Sequence, residues 1–156
     1  MRFLVTKEKE IRPLLCFLIS GVLAALALYL LLDILSHALF LGIYPDMVYD
    51  TLYGNEERFI EPMPLGTLLL QVHIDWFMTL FAVLILSAIT VRVMEHKRDK
   101  RIIVHMLGIG GLLTPMLLLG AYFVHTVVLS LWMGLFIGWH LFAFVLSLIL
   151  IGRTLR

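Results

Sequence analysis

Residues 14–43, read as LLCFLISGVLAALALYLLLDILSHALFLGI, decide the fold. A helix of ~20 apolar residues crosses the ~30 Å hydrocarbon layer of a bilayer, and this run is longer, with Asp33 its only carboxylate and His37 its only imidazole. Lipid offers the backbone no hydrogen-bond partner, so a run of this kind is satisfied only as a helix. Three more runs of the same character follow at about 65–91, 102–123 and 126–151. Hydrophobic residues make up 62% of the 156 residues, with a mean hydropathy of +1.02. The expectation is an all-α, integral membrane four-helix transmembrane bundle, one domain spanning 1–156, with the lipid bilayer as its first partner.

Basic residues orient the bundle. Of the twelve Lys and Arg residues, Arg2, Lys7, Lys9 and Arg12 precede the first run and Arg92, Lys97, Arg98, Lys100 and Arg101 fall between the second and third. Arg153 and Arg156 follow the fourth. Short loops rich in Lys and Arg stay on the cytoplasmic side. The sequence therefore predicts an inner-membrane, multi-pass protein with both termini inside, a basic inner loop at 92–101 and an outer loop at 44–64. That outer loop carries Asp46, Asp50, Glu56, Glu57 and Glu61 against the single Arg58. Its Pro45, Gly54, Pro62 and Pro64 interrupt helix, its aromatic residues place it at the interface, and a short interfacial helix fits over Met47–Tyr53. The first run starts too late and is too long for a cleaved leader.

The composition excludes several classes. A single cysteine, Cys16, forms no internal disulfide and no Cys-pair metal or c-type haem motif. The polar segments are too short for a nucleic-acid-binding domain. There is no Gly-x-Ser-x-Gly, no phosphate-binding glycine loop and no His-Glu-x-x-His. Neither a solenoid period nor an inverted repeat of the transporter kind is present. Gly108, Gly110, Gly111 and Gly120, with Gly134 and Gly138 four apart, read as surfaces of close helix approach. Pro115 is expected to kink the third span.

Function has to come from polar groups within the spans, where ionisable residues are costly and tend to face the interior in pairs. Asp33 and His37 share a helix face. Gln71, His73 and Asp75 open the second span, His125 lies in the turn between the third and fourth, and His140 lies within the fourth. Counting ~1.5 Å per residue from each midpoint puts Asp33, His73 and Asp75 ~5–10 Å to the outer side, His37 and His125 near ~15 Å, and His140 within ~3 Å of the centre.

Three readings follow. The polar groups hydrogen-bond one another and hold helices together. Alternatively, His73 and His140 ligate a b-type haem from facing helices. Or Asp33, His37, His73, Asp75 and His125 supply a transition-metal site, or relay protons to the outer face. The segment from Gln71 to Phe81, QVHIDWFMTLF, resembles the start of the second span in the main subunit of haem-copper oxidases and their small relatives. That resemblance implies haem ligation by His73. The partner histidine and the copper-binding pair of that family have no counterpart, so it implies haem binding without oxygen reduction. A small haem- or metal-binding protein of electron transfer or respiratory assembly is the leading expectation. A non-enzymatic membrane subunit or small transporter is the alternative, and a bundle this small favours a homo-oligomer or a partner in a membrane complex.

Overall fold

A computed structural model describes residues 2–124 and 126–155, with side chains from Pro13 onward except that of Thr126. The elements are α1 (Arg2–Phe40), α2 (Pro45–Tyr53), a single 3-10 turn at Glu56–Arg58, α3 (Leu65–Val93), α4 (Lys97–Val124) and α5 (Thr126–Thr154). Four of the five α-helices contain segments long and apolar enough to cross a membrane, beginning at Pro13, Leu65, Lys97 and Val127. The protein is an all-α membrane bundle. No strand occurs among the described residues, only an isolated bridge between Asn55 and Ile60.

Two boundaries differ from the expectation. Helix α1 runs through Pro13, and α4 begins at Lys97, inside the basic link. Lys and Arg are good helix formers, and Asp99 in the first turn of α4 complements the helix dipole. Helix α4 also continues through Pro115.

Helix α1 packs on α5, α5 on α4 and α4 on α3, while the backbones of α1 and α3 come together little. Two apolar layers fill the bundle. Leu23, Leu30, Leu86, Leu107, Trp139 and Leu150 form the layer nearer the termini. Leu52, Leu68, Leu118, Leu129, Trp132 and Phe136 form the layer under α2.

Glycines contribute to this packing unequally. A Cβ on Gly110 would stand 2.6 Å from Trp139 Cδ1, and one on Gly111 would stand 2.8 Å from Thr79 Cγ2. These two residues let α4 approach α3 and α5. Gly134 and Gly138 do not behave as expected: neither has an atom within 4 Å of the Cβ position, because that face of α5 turns outward. In lipid a small-residue stripe is no more hydrophobic or polar than its surroundings, so its spacing alone does not choose an inward face.

The connection from α1 to α3 forms a cap. Gly42, at φ 117°, turns the chain where a side chain would strike Met47. The hydroxyl of Thr51 donates to the carbonyl of Leu41 at 3.0 Å, that of Tyr122 to Met63 at 3.2 Å, and that of Tyr53 to Ala121. Burial together with neighbouring Tyr49 raises the pKa of Tyr53 and keeps this donor protonated. Asp50 is buried and accepts from Arg58 Nη1 at 2.7 Å and from Asn55 Nδ2 at 2.8 Å. Because Arg58 is largely exposed, its loss should cost only ~0.5–1 kcal/mol. The local effect should be clearer: Arg58→Ala is expected to speed cleavage by a Glu-specific protease at Glu56–Glu57, and an unchanged cleavage rate would mean that the pair does not hold the cap.

Candidate functional site

Between the two apolar layers lies a polar one, drawn from α1, α3 and α5. Asp33 and His37 sit one turn apart on α1, Gln71 and Asp75 one turn apart on α3, and His140 on α5. His37 Nε2 lies 3.0 Å from Asp75 Oδ2, and His140 Nε2 lies 2.8 Å from Asp33 Oδ2. Gln71 Nε2 donates to Asp75 Oδ1 at 2.7 Å and lies 3.4 Å from His37 Nε2. Asp33 Oδ1 is 3.7 Å from His37 Nδ1, so the Asp33 carboxylate touches both histidines. His37 and His140 are only 4% and 2% exposed.

The ring nitrogens of both histidines are divided in the same way. His37 Nδ1 meets the carbonyl of Asp33 at 3.0 Å, and His140 Nδ1 meets that of Phe136 at 2.8 Å. A carbonyl only accepts, so each Nδ1 bears hydrogen and each Nε2 is aimed at a carboxylate. An ionised carboxylate and a bare Nε2 are both acceptors, so one proton must lie between them in each pair. Each His–Asp pair is then neutral overall, the arrangement that a low-dielectric interior demands.

Phe136 separates the two imidazoles, its ring centroid 4.5 Å from that of His37 and 4.1 Å from that of His140. Trp132 and Trp139 close the flanks at 6.4 Å from His37 and 5.0 Å from His140. Trp139 is itself held by its indole N–H, which donates to the carbonyl of Leu107 at 3.0 Å. A cleft of about 100 Å³ between α1 and α5 reaches His37 past Ile34, Ala38, Trp132, Met133 and Phe136.

The structure brings together Asp33, His37, Asp75 and His140 from among the expected site residues. His73 is not with them. It is exposed, while Val72, Asp75 and Thr79 occupy the buried face of α3. Residues two apart on a helix stand ~200° apart around its axis, so His73 cannot share a face with Asp75. His73 and His140 therefore do not flank a common space, and the expected pairing is corrected. His125 lies outside the described residues.

The expected depths also need correction, because His140 meets Asp33 at 2.8 Å although the residue count puts Asp33 ~5–10 Å to the outer side and His140 within ~3 Å of the centre. Asp33 is seven residues from the end of α1 and His140 fourteen from the start of α5, so α5 extends about two turns past α1. Helix α2 packs against α5. Phe136 was missed by sequence reasoning. The only available signal was its position one turn before His140, which is common for a core aromatic residue.

A family model described as a transmembrane helical domain (Aq_1264_TM) matches residues 42–156, and the chain belongs to that family. The match takes in Gln71, Asp75 and His140 and leaves Asp33 and His37 outside it. No curated protein matches the chain. No solved structure matches it.

Proposed function

We propose that this member of the transmembrane helical domain family binds a divalent first-row transition metal ion, zinc being the type case, through Asp33, His37, Asp75 and His140. One observation carries the reading. Two histidines from different helices each anchor Nδ1 on a carbonyl and aim Nε2 at a carboxylate in the same buried layer. Metal-ligating histidines adopt that orientation, since the outer hydrogen bond fixes the ring and its tautomer. Ligand atoms of Asp33, His37 and Asp75 already lie within 4.8 Å of one another, and Asp33 carries the link to His140.

Charge supports the same conclusion. Two carboxylates balance a 2+ ion, two neutral imidazoles complete a four-coordinate N2O2 set, and the layer stays neutral. The ion would take the place of the two shared protons. The acidic connection that holds Asp46, Asp50, Glu56, Glu57 and Glu61 raises the local concentration of cations at that end of the bundle.

Haem draws less support. His73 faces outward, and Phe136 fills the space between the two buried imidazoles. A macrocycle would have to displace that ring.

Protein purified in detergent without chelator should retain about one metal ion per chain by elemental analysis. Cobalt(II) added to stripped protein should develop the intense visible bands of four-coordinate cobalt. Uptake should release about two protons per ion, so affinity should rise with pH. Asp33→Asn and His140→Gln should each weaken binding by more than the ~10–100-fold that loss of an outer-shell partner causes. Protein that leaves cobalt in its pink, six-coordinate aqueous form would overturn the assignment.

A further inference from the structure

We propose that the end of the bundle where the termini meet holds a site for the phosphate headgroup of an anionic phospholipid, gripped by Arg92 and Arg153. A cavity of about 550 Å³ lies there, lined by Leu15 and Ile19 of α1, Arg92 and Val93 of α3, and Arg153 and Thr154 of α5. Arg92 is the penultimate residue of α3 and Arg153 that of α5, so both arginines lie where the apolar segments end, the level at which headgroups meet a spanning helix.

Neither arginine forms an ion pair or hydrogen bond with any described residue. Glu95 and His96 share a neighbouring recess with Arg153, but Glu95 does not pair with it. Two cations from different helices on one cavity repel each other, and an anion between them converts the repulsion into attraction. A guanidinium group binds phosphate oxygens through paired, parallel hydrogen bonds. Thr154 already donates its hydroxyl to the carbonyl of Leu150 at 2.8 Å, which leaves oxygen lone pairs only and makes the arginines the anion-binding groups.

The apolar wall selects the source of that phosphate. Leu15 and Ile19 lie one turn apart and offer packing surface to the glycerol and upper acyl carbons of a lipid. Inorganic phosphate gains nothing from them. The basic residues Lys97, Arg98, Lys100 and Arg101 on α4 add to the attraction of an anionic leaflet.

Cys16, the single cysteine, lines the same cavity and reports on occupancy. The full chain in nanodiscs of phosphatidylcholine alone should react with a small maleimide at Cys16. Nanodiscs containing phosphatidylglycerol should slow that reaction by about tenfold, given two arginines at an anionic surface. The Arg92→Gln/Arg153→Gln double variant should lose the protection, and Arg92→Lys/Arg153→Lys should retain part of it. Both positions are exposed, so neither change disturbs the core. Equal rates in the two lipids, or protection that survives the glutamine variant, would overturn the proposal. Equal protection by inorganic phosphate in phosphatidylcholine discs would overturn the lipid assignment.

Discussion

Asp33→Ala should lower the unfolding free energy by about 3 kcal/mol, and Asp75→Ala by about 2 kcal/mol, in denaturant titrations in mixed micelles. The two figures lie at the adjoining edges of two measured ranges. Removing one member of a buried ion pair costs ~3–5 kcal/mol when the other is left charged, whereas hydrogen bonds between membrane helices contribute ~0.6–2 kcal/mol. Each histidine can give up the proton that it shares with its carboxylate, so the stranded partner becomes a neutral imidazole instead of a buried cation. The penalty therefore reaches no further than the lower edge of the upper range.

The order of the two effects follows from their surroundings. When Asp75 is lost, Gln71 Nε2, already 3.4 Å from His37 Nε2, can donate to it. When Asp33 is lost, His140 Nε2 has no other hydrogen-bond partner among the described residues. Asp33 also contacts His37, so its removal disturbs both pairs. Leucine at both 33 and 140 should recover part of the loss, because two apolar groups leave nothing unpaired. The reverse order, with Asp75→Ala the more damaging, would mean that the network is assembled around α3 instead of α1.

Gly110→Leu should be equally severe, at ~3 kcal/mol or more, for a steric reason. Its Cβ would lie 2.6 Å from Trp139 Cδ1 and 3.5 Å from Trp139 Cγ. A tryptophan held by Leu107 at its indole nitrogen cannot swing aside without losing that bond. Overpacking of a filled core costs ~1–3 kcal/mol and sometimes more, and here the backbone of α4 would have to retreat from α5. Retreat would also move His140, the neighbour of Trp139, so the metal uptake proposed above should fall together with stability.

Gly108→Ala provides the control, since nothing lies within 4 Å of its Cβ position. Alanine is favoured over glycine within a helix by about 1 kcal/mol, so this change should be neutral or stabilising. A Gly110→Leu protein with an unaltered unfolding transition would show that α4 and α5 are not packed as described.

Much of the site was legible in the sequence. Asp33 and His37 had to share a face because they are four apart, and their depth within an apolar run demanded partners. Asp75 and His140 were visible as isolated ionisable groups on other spans. The choice between His73 and Asp75 was not legible. A soluble helix reveals its inner face by hydrophobic contrast, but α3 is apolar nearly all round, because lipid and core make the same demand on side chains. With that contrast absent, Gln71, His73 and Asp75 looked equally suited to the interior. Only the packing of α3 on α4, through the Thr79–Gly111 approach, fixed its rotation. That rotation sent Asp75 inward and His73 outward.

By itself the sequence determined four membrane-crossing helices, since hydrocarbon leaves a backbone no partner outside its own helix, and an acidic connection between the first two; that this connection caps the bundle came from the tertiary contacts. Tertiary structure alone decided which polar side chains meet. Helix rotation and the two-turn offset of α5 against α1 are set by side-chain interlocking at Gly110, Gly111 and Trp139, and no one-dimensional pattern of polarity encodes such contacts when both sides of every helix are apolar.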